Sequence, residues 1–325
     1  MRIHFTRADL ARTHLADGPD PMWELVTSLQ ILQSRYGQAV FGPWRRRTAD
    51  RLHRAALAGV VRGQLFPVAP HASYFPDLLT PPEAALGVDE GIEAVVATPR
   101  HRLRKEIGRL PGSPGAGSWL VDLASATATA MAALGRALRE YHRHAIAPEW
   151  DVARVSVDLD LAGRRRAVRD GGVPGLLESF RPMMRWRHPV LELADHPSDR
   201  DVHLDGRGLL LVPSYFCWVH PLTIFDPHLP QVVVYPVHHD AAPGGDPGSQ
   251  ALARLLGTRR AAVLAAIEGG STTSELARRL RISTPTTSHN VGVLRAAGLV
   301  TSRRAANTVL HTLSPLGEAL LRRHR

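Results

Sequence analysis

Along the first 180 residues apolar positions recur at helical spacing, in blocks separated by proline and glycine. They predict helices over 21–36, 43–58, 98–110, 118–145 and 149–169. Stretches rich in proline and glycine at 67–82 and 111–117 read as loops between them. From about Val190 the period changes. Short β-rich runs at 190–193, 208–218, 222–225 and 231–237, bounded by Pro, Asp and Gly, predict a small sheet. Residues 240–250 contain Ala-Ala-Pro-Gly-Gly-Asp-Pro-Gly-Ser, which has no apolar period and several helix breakers, as a flexible linker would. The expected architecture is α+β, mainly α: a helical domain over 1–180, a small β-rich subdomain over 181–240 packed on it, a linker at 241–250 and a C-terminal module at 251–325.

Within that module Thr258 is placed to cap a helix through Val263, Leu264 and Ile267, which Gly269-Gly270 stops. Thr272-Thr273-Ser274-Glu275 is a capping box and fixes a helix start at Thr272, with Leu276, Ala277 and Leu280 facing inward. After the turn Arg281-Ile282-Ser283, Thr284-Pro285 opens a second helix. At about 100° per residue, Thr287, Val291, Leu294 and Gly298 share a packed sector. Thr286, His289, Val293 and Ala296 lie opposite, with Asn290 at the edge. Hydroxyl, imidazole and amide groups on an exposed face suit base edges in a major groove, and a valine suits a thymine methyl. Residues 299–303 and 308–313 read as the two strands of a wing. Arg303 and Arg304 near its tip are placed to reach phosphates, although two solvated hairpin arginines would give the same sequence. Ser314-Pro315 opens a last helix through Leu316, Leu320 and Leu321.

Charge sharpens this picture. Apolar residues make up 44% of the chain and charged residues 22%, which excludes disordered and fibrous classes. Lys105 is the one lysine against thirty-nine arginines, a skew that codon bias alone could produce. Of the formal net charge of +10, residues 251–325 hold +9, from twelve arginines against Glu268, Glu275 and Glu318. A short segment with nearly all the net charge is the footprint expected of a module that replaces counterions along phosphates. Cys217 is the sole cysteine, so internal disulfides and cysteine-cluster metal sites are excluded and a reducing compartment is expected. With no signal-peptide pattern and no window of about 20 apolar residues, a cytoplasmic location follows as an expectation.

The run Thr272-Thr273-Ser274-Glu275-Leu276-Ala277 through Ser288, Val291 and Leu294-Arg295-Ala296-Ala297-Gly298-Leu299-Val300 resembles the winged helix-turn-helix of ArsR-type bacterial repressors. The resemblance implies a DNA-binding regulator. His289-Asn290 stands where that family commonly has arginine or glutamine followed by histidine, so its base preference does not carry over. The cysteines by which its metal-sensing members bind arsenic or zinc are absent from 272–280. Three N-terminal stretches, 23–29, 74–80 and 203–214, resemble the uncharacterised domain that precedes this head in a group of actinobacterial ArsR-like regulators. No activity comes with that likeness.

Other candidate chemistry is weaker. Glu140 and His144 lie four apart on a helix, as two metal ligands or an ordinary ion pair would, and His238-His239-Asp240 lacks a third spaced ligand. Ser214 follows Pro213 outside any nucleophile elbow, and neither a Walker loop nor a dinucleotide fingerprint occurs. No catalysis, metal or cofactor is therefore expected. The aromatic run around Cys217 reads as core or as the wall of a ligand pocket, with Ser214, Tyr215, Phe216, Trp218 and His220 the candidate ligand-binding residues. The candidate DNA-binding residues are Thr286, Ser288, His289, Asn290, Arg303 and Arg304. Two readings stand: a homodimeric repressor of double-stranded DNA whose N-terminal domain dimerises or senses a small molecule, and a ligand-binding or enzymatic domain with a winged helix for protein contact.

Overall fold

Asp20 starts the first long helix as its side chain accepts the Met22 and Trp23 N–H groups at 2.9 Å each, and Pro21 follows with its φ preset for the first turn. That helix belongs to a computed structural model that describes residues 1–72, 74–110, 117–193, 196, 198–237, 239, 252, 255–267, 270–280, 282–305 and 308–322, with backbone alone at 39, 304, 305, 308 and 322. The linker expected at 241–250 lies outside the described residues, as do 111–116, His238, Asp240, Gly269, Arg281, Ala306 and Asn307. The chain divides into two compact units, Met1–His238 and His239–Arg325.

The first unit runs β1 (Arg2–His4), α1 (Arg7–Ala11), β2 (His14–Leu15), α2 (Pro21–Gln33), α3 (Gln38–Arg54), α4 (Ala58–Val60), α5 (Phe66–Val68), α6 (Val88–Val96), α7 (Arg100–Ile107), α8 (Gly117–Ala124), α9 (Ala128–Tyr141) and α10 (Trp150–Glu178). Six strands follow. Helix α2 is buried on nearly all sides, from Met22 through Leu29, so it carries no polar face for a sequence pattern to show. The helix expected over 118–145 is broken: Ala126 adopts φ +55° and Thr127 caps α9 by accepting the Ala130 N–H. Gly172, with φ +62°, kinks α10 rather than ending it. Two π-helical turns, Val61–Leu65 and His142–Ile146, each have a carbonyl taken by an indole: Trp119 donates to Gln64 O at 3.0 Å and Trp44 to Ala145 O at 3.1 Å.

Two four-stranded sheets form where one was expected. The first has the order β3 (Arg185–Arg187), β4 (Val190–Glu192), β1, β5 (Asp201–His203), and the second β2, β6 (Leu210–Ser214), β8 (Val232–Pro236), β7 (Leu222–Thr223). Because β1 and β2 come from the first fifteen residues, residues 181–240 do not make a subdomain of their own; the two ends of the unit complete each sheet. Register sets a row of alternating charge, Arg185, Glu192, Arg2, Asp201, on one face of the first sheet. Trp186, Leu191, Ile3 and Val202 fill the other.

Buried carboxylates fasten the loops of this unit. Asp9 accepts the Gly208 N–H at 2.9 Å, and Asp77 accepts the Phe225 and Asp226 N–H groups at 2.9 and 2.8 Å. Glu106 accepts the Leu78 N–H at 2.7 Å. Glu24 accepts the Tyr215 and Phe216 N–H groups at 2.6 and 2.9 Å and the Ser214 hydroxyl at 3.2 Å. An irregular segment under a helical layer has no ladder to satisfy its donors, and side-chain oxygens supply the acceptors instead.

The second unit runs α11 (Thr258–Ala266), β9 (Ser271–Thr272), α12 (Thr273–Leu280), α13 (Thr284–Ala296), β10 (Val300–Ala305), β11 (Thr308–Leu313) and α14 (Pro315–Arg322). Its core is aliphatic: Val263, Leu264, Ile267, Leu276, Val291, Leu294, Leu299 and Val300 are buried together. Residues 251–325 contain no Phe, Trp or Tyr. Gly257, not Thr258, occupies the cap position of α11. The protein is thus α+β, mainly α, with a C-terminal helix-turn-helix.

Candidate nucleic-acid interface

Local chemistry fixes the two helices of the turn. The Thr272 N–H donates to Glu275 Oε2 at 2.8 Å while the Glu275 N–H donates to Thr272 Oγ1 at 3.3 Å, so the capping box closes and α12 begins at Thr273. This holds the Glu275 carboxyl below its usual pKa, through the Thr272 backbone bond first. Ser283 caps α13 by accepting the Thr286 N–H at 3.2 Å. At its far end the Gly298 N–H reaches Arg295 O and the Leu299 N–H reaches Leu294 O, both at 2.9 Å, with Gly298 at φ +72°. That is a Schellman stop. Gly298 is therefore exposed beyond the helix, not on the packed face where helical indexing puts it.

Helix α13 buries Thr287, Val291 and Leu294 and exposes Ser288 and His289. Thr286 is half-buried, its hydroxyl 2.7 Å from Ser283 Oγ. Asn290 is a correction: it is 7% exposed, and its Nδ2 donates to Thr286 O at 2.8 Å. One residue beyond His289 turns about 100° toward the core, and the amide stays buried by bonding the preceding turn. It is not placed to reach a base.

The wing pairs Val300↔Leu313 through Ala305↔Thr308, and β9 adds to its edge through Leu310↔Thr272 and His311↔Ser271. Arg303 is exposed; the Arg304 side chain lies outside the described residues. A group that sequence reading missed locks the wing to the turn. His311 is buried, its Nε2 2.9 Å from Thr273 Oγ1 on α12 and its Nδ1 2.8 Å from Ser302 Oγ on β10. Burial, and then Arg295, push its pKa below the usual histidine value. The signal by which it could have been found is the strand period, which puts His311 on one face with Val309 and Leu313.

The five candidate ligand residues of the first unit do not share one environment. Ser214, Tyr215 and Phe216 are buried: Ser214 serves Glu24 and accepts the Cys217 N–H at 3.0 Å, while Phe216 packs on Phe41 and Trp44 at centroid distances of 5.7 and 4.6 Å. Of the two readings left open, core or pocket wall, Tyr215 and Phe216 take the first and pack into an aromatic cluster. Trp218 and His220 are half-buried. Cys217 is buried, and burial pushes its thiol pKa up, the opposite of an activated nucleophile. Glu140 lies 3.6 Å from His144 and 3.0 Å from Arg143, and among the described residues no group of three metal-ligating side chains gathers there.

A family model described as a helix-turn-helix domain matches residues 259–303, from α11 into β10. No curated protein and no solved structure matches the chain. The second unit is a DNA-binding domain of the kind used in transcription regulation. Among the described residues no helix is long and apolar enough to cross a membrane.

Proposed function

We propose that the protein is an ArsR-like transcription repressor of the cytoplasm that binds an operator as a homodimer, with α13 in the major groove. The observation that carries this reading is the exposure of His289 opposite the buried Val291 and Leu294, with Ser288 exposed beside it, on a unit whose residues 251–325 hold +9 of the formal net charge of +10. Thr286, Ser288 and His289 read base edges, and Arg303 and Arg304 contact phosphates. Asn290 has no base to read; it stiffens the first turn of α13. The first unit holds the dimer together; the engagement of Ser214 with Glu24 and of Asp9 and Asp77 with the backbone fits a structural use of these groups. Two heads related by a two-fold axis fit half-sites about 10 base pairs apart or a multiple of that.

The test is selection of binding sites from a random duplex pool, followed by anisotropy titrations of the full chain at several salt concentrations. A two-fold symmetric consensus is expected, with affinity falling steeply as salt rises. An asymmetric single site, or binding that ignores sequence and salt, would overturn the reading.

A further inference from the structure

Helix α10 buries Ala153, Val157, Leu161 and Arg164 against the first unit. Its opposite face should be polar and is not: Val155 is 54% exposed and Leu159 65% exposed. At about 100° per residue Ala162 and the stem of Arg166 continue their stripe. One flank of it carries Asp151 and Asp158, with Arg154 between them, in the first half of the helix and Arg165 and Arg169 in the second. All five are exposed.

We propose that this stripe is a dimer interface, covered by α10 of a second copy of the chain lying antiparallel about a two-fold axis between Leu159 and Ala162. The proposal rests on the homodimer reading above and assigns its surface. The placement of charge selects this occupant and this direction. With the axis there, Leu159 packs on the partner's Ala162, Val155 packs on the stem of the partner's Arg166, and Ala162 with Gly163 lets the backbones approach. Asp151 then faces the partner's Arg169, and Asp158 faces the partner's Arg165. Symmetry doubles both pairs. A parallel two-fold would carry this flank to opposite sides of the seam in the two copies, so neither aspartate would meet an arginine of the partner's flank. Arg165 has a local partner in Asp17, at 3.6 Å from the carboxylate and 3.3 Å from the backbone oxygen, and Arg169 has one in Asp170 at 3.3 Å, but these side chains are exposed and such contacts exchange readily for others.

The experiment is sedimentation velocity of the full chain without DNA over a concentration series. Wild type should dimerise, and Leu159→Glu should weaken dimerisation by roughly 30-fold or more, as loss of a central apolar anchor does. The pair Arg165→Asp with Arg169→Asp should also weaken it, and adding Asp151→Arg with Asp158→Arg should restore it. Tryptophan fluorescence of each variant checks that the first unit is folded. A monomeric wild type, a dimer indifferent to Leu159→Glu, or a charge swap without restoration would overturn the proposal. A dimer that selects no DNA sequence would instead overturn the operator reading and leave the interface standing.

Discussion

Replacing Glu24 by alanine tests how the first unit is fastened. Its carboxylate is fully buried and is the acceptor for two backbone N–H groups and one hydroxyl. Leaving two buried N–H groups without acceptors costs about 1–3 kcal/mol each. Against that stands the cost of burying a charge. Burial pushes the Glu24 pKa from 4.5 up to about 7, the bonds from Phe216, Tyr215 and Ser214 offsetting part of the effect. A shift of that size corresponds to about 3 kcal/mol. The sign follows from linkage: the folded state holds the proton more tightly, so the stability Glu24 contributes is complete below about pH 4.5 and is lost as pH rises through 7. Glu24→Ala should therefore cost roughly 2–6 kcal/mol near pH 5 and about 2–3 kcal/mol less at pH 8. Urea unfolding read by tryptophan fluorescence isolates the unit, because all six tryptophans lie between Trp23 and Trp218. Burial likewise raises Asp20, one turn earlier, to about 6, so the series should be repeated in Asp20→Asn, which keeps the cap. A mutational cost that is constant with pH, or larger at pH 8, would refute the reasoning.

Three further outcomes follow from the second unit. His289→Ala should narrow the gap between operator and mismatched duplex by about 1–3 kcal/mol, whereas Arg303→Ala should weaken all duplexes alike and flatten the salt dependence; competition titrations separate the two. Gly298→Ala meets no atom within 4 Å, so its whole cost, about 1–2 kcal/mol, should come from φ +72° and appear as reduced amide protection in α13. Because the pKa of His311 is lowered on folding, the unit should lose stability as pH falls below about 6.5, and amide protection factors in β11 should show a decline that His311→Gln removes.

The helix-turn-helix was legible in the sequence because its signals are local. The capping box at Thr272 and the proline-led start at Thr284-Pro285 act within one turn of the residues that carry them, and both helices begin there; the cap by Ser283 and the stop at Gly298 were not read, because indexing kept Gly298 on the packed face. Asn290 misled for a reason of resolution: the angle between exposed and buried on a helix is one residue wide. The first unit was less legible. Strands β1, β3 and β5 have three residues each and β2 has two, too short for alternation to show. The break between α8 and α9 lies in a run of alanine alternating with serine and threonine, Ala124-Ser125-Ala126-Thr127-Ala128-Thr129, where neither proline nor glycine marks it. Partners such as Glu24 with Phe216, or Asp77 with Phe225, lie well over a hundred residues apart, and no local pattern announces them.

That β1 pairs with β4 and β5 also sets a timetable for biosynthesis. The strand leaves the ribosome about 200 residues before β5, and at roughly 5–20 residues per second it waits some 10–40 s for that neighbour. During the wait Ile3 and Phe5, buried in the finished unit, face water or a chaperone. The C-terminal unit has no such debt to the distant past, since its strands and helices find their partners within about sixty residues. A nascent chain stalled near residue 180 would accordingly hold helices without sheets, and the N-terminal segment would be the part a protease reaches first.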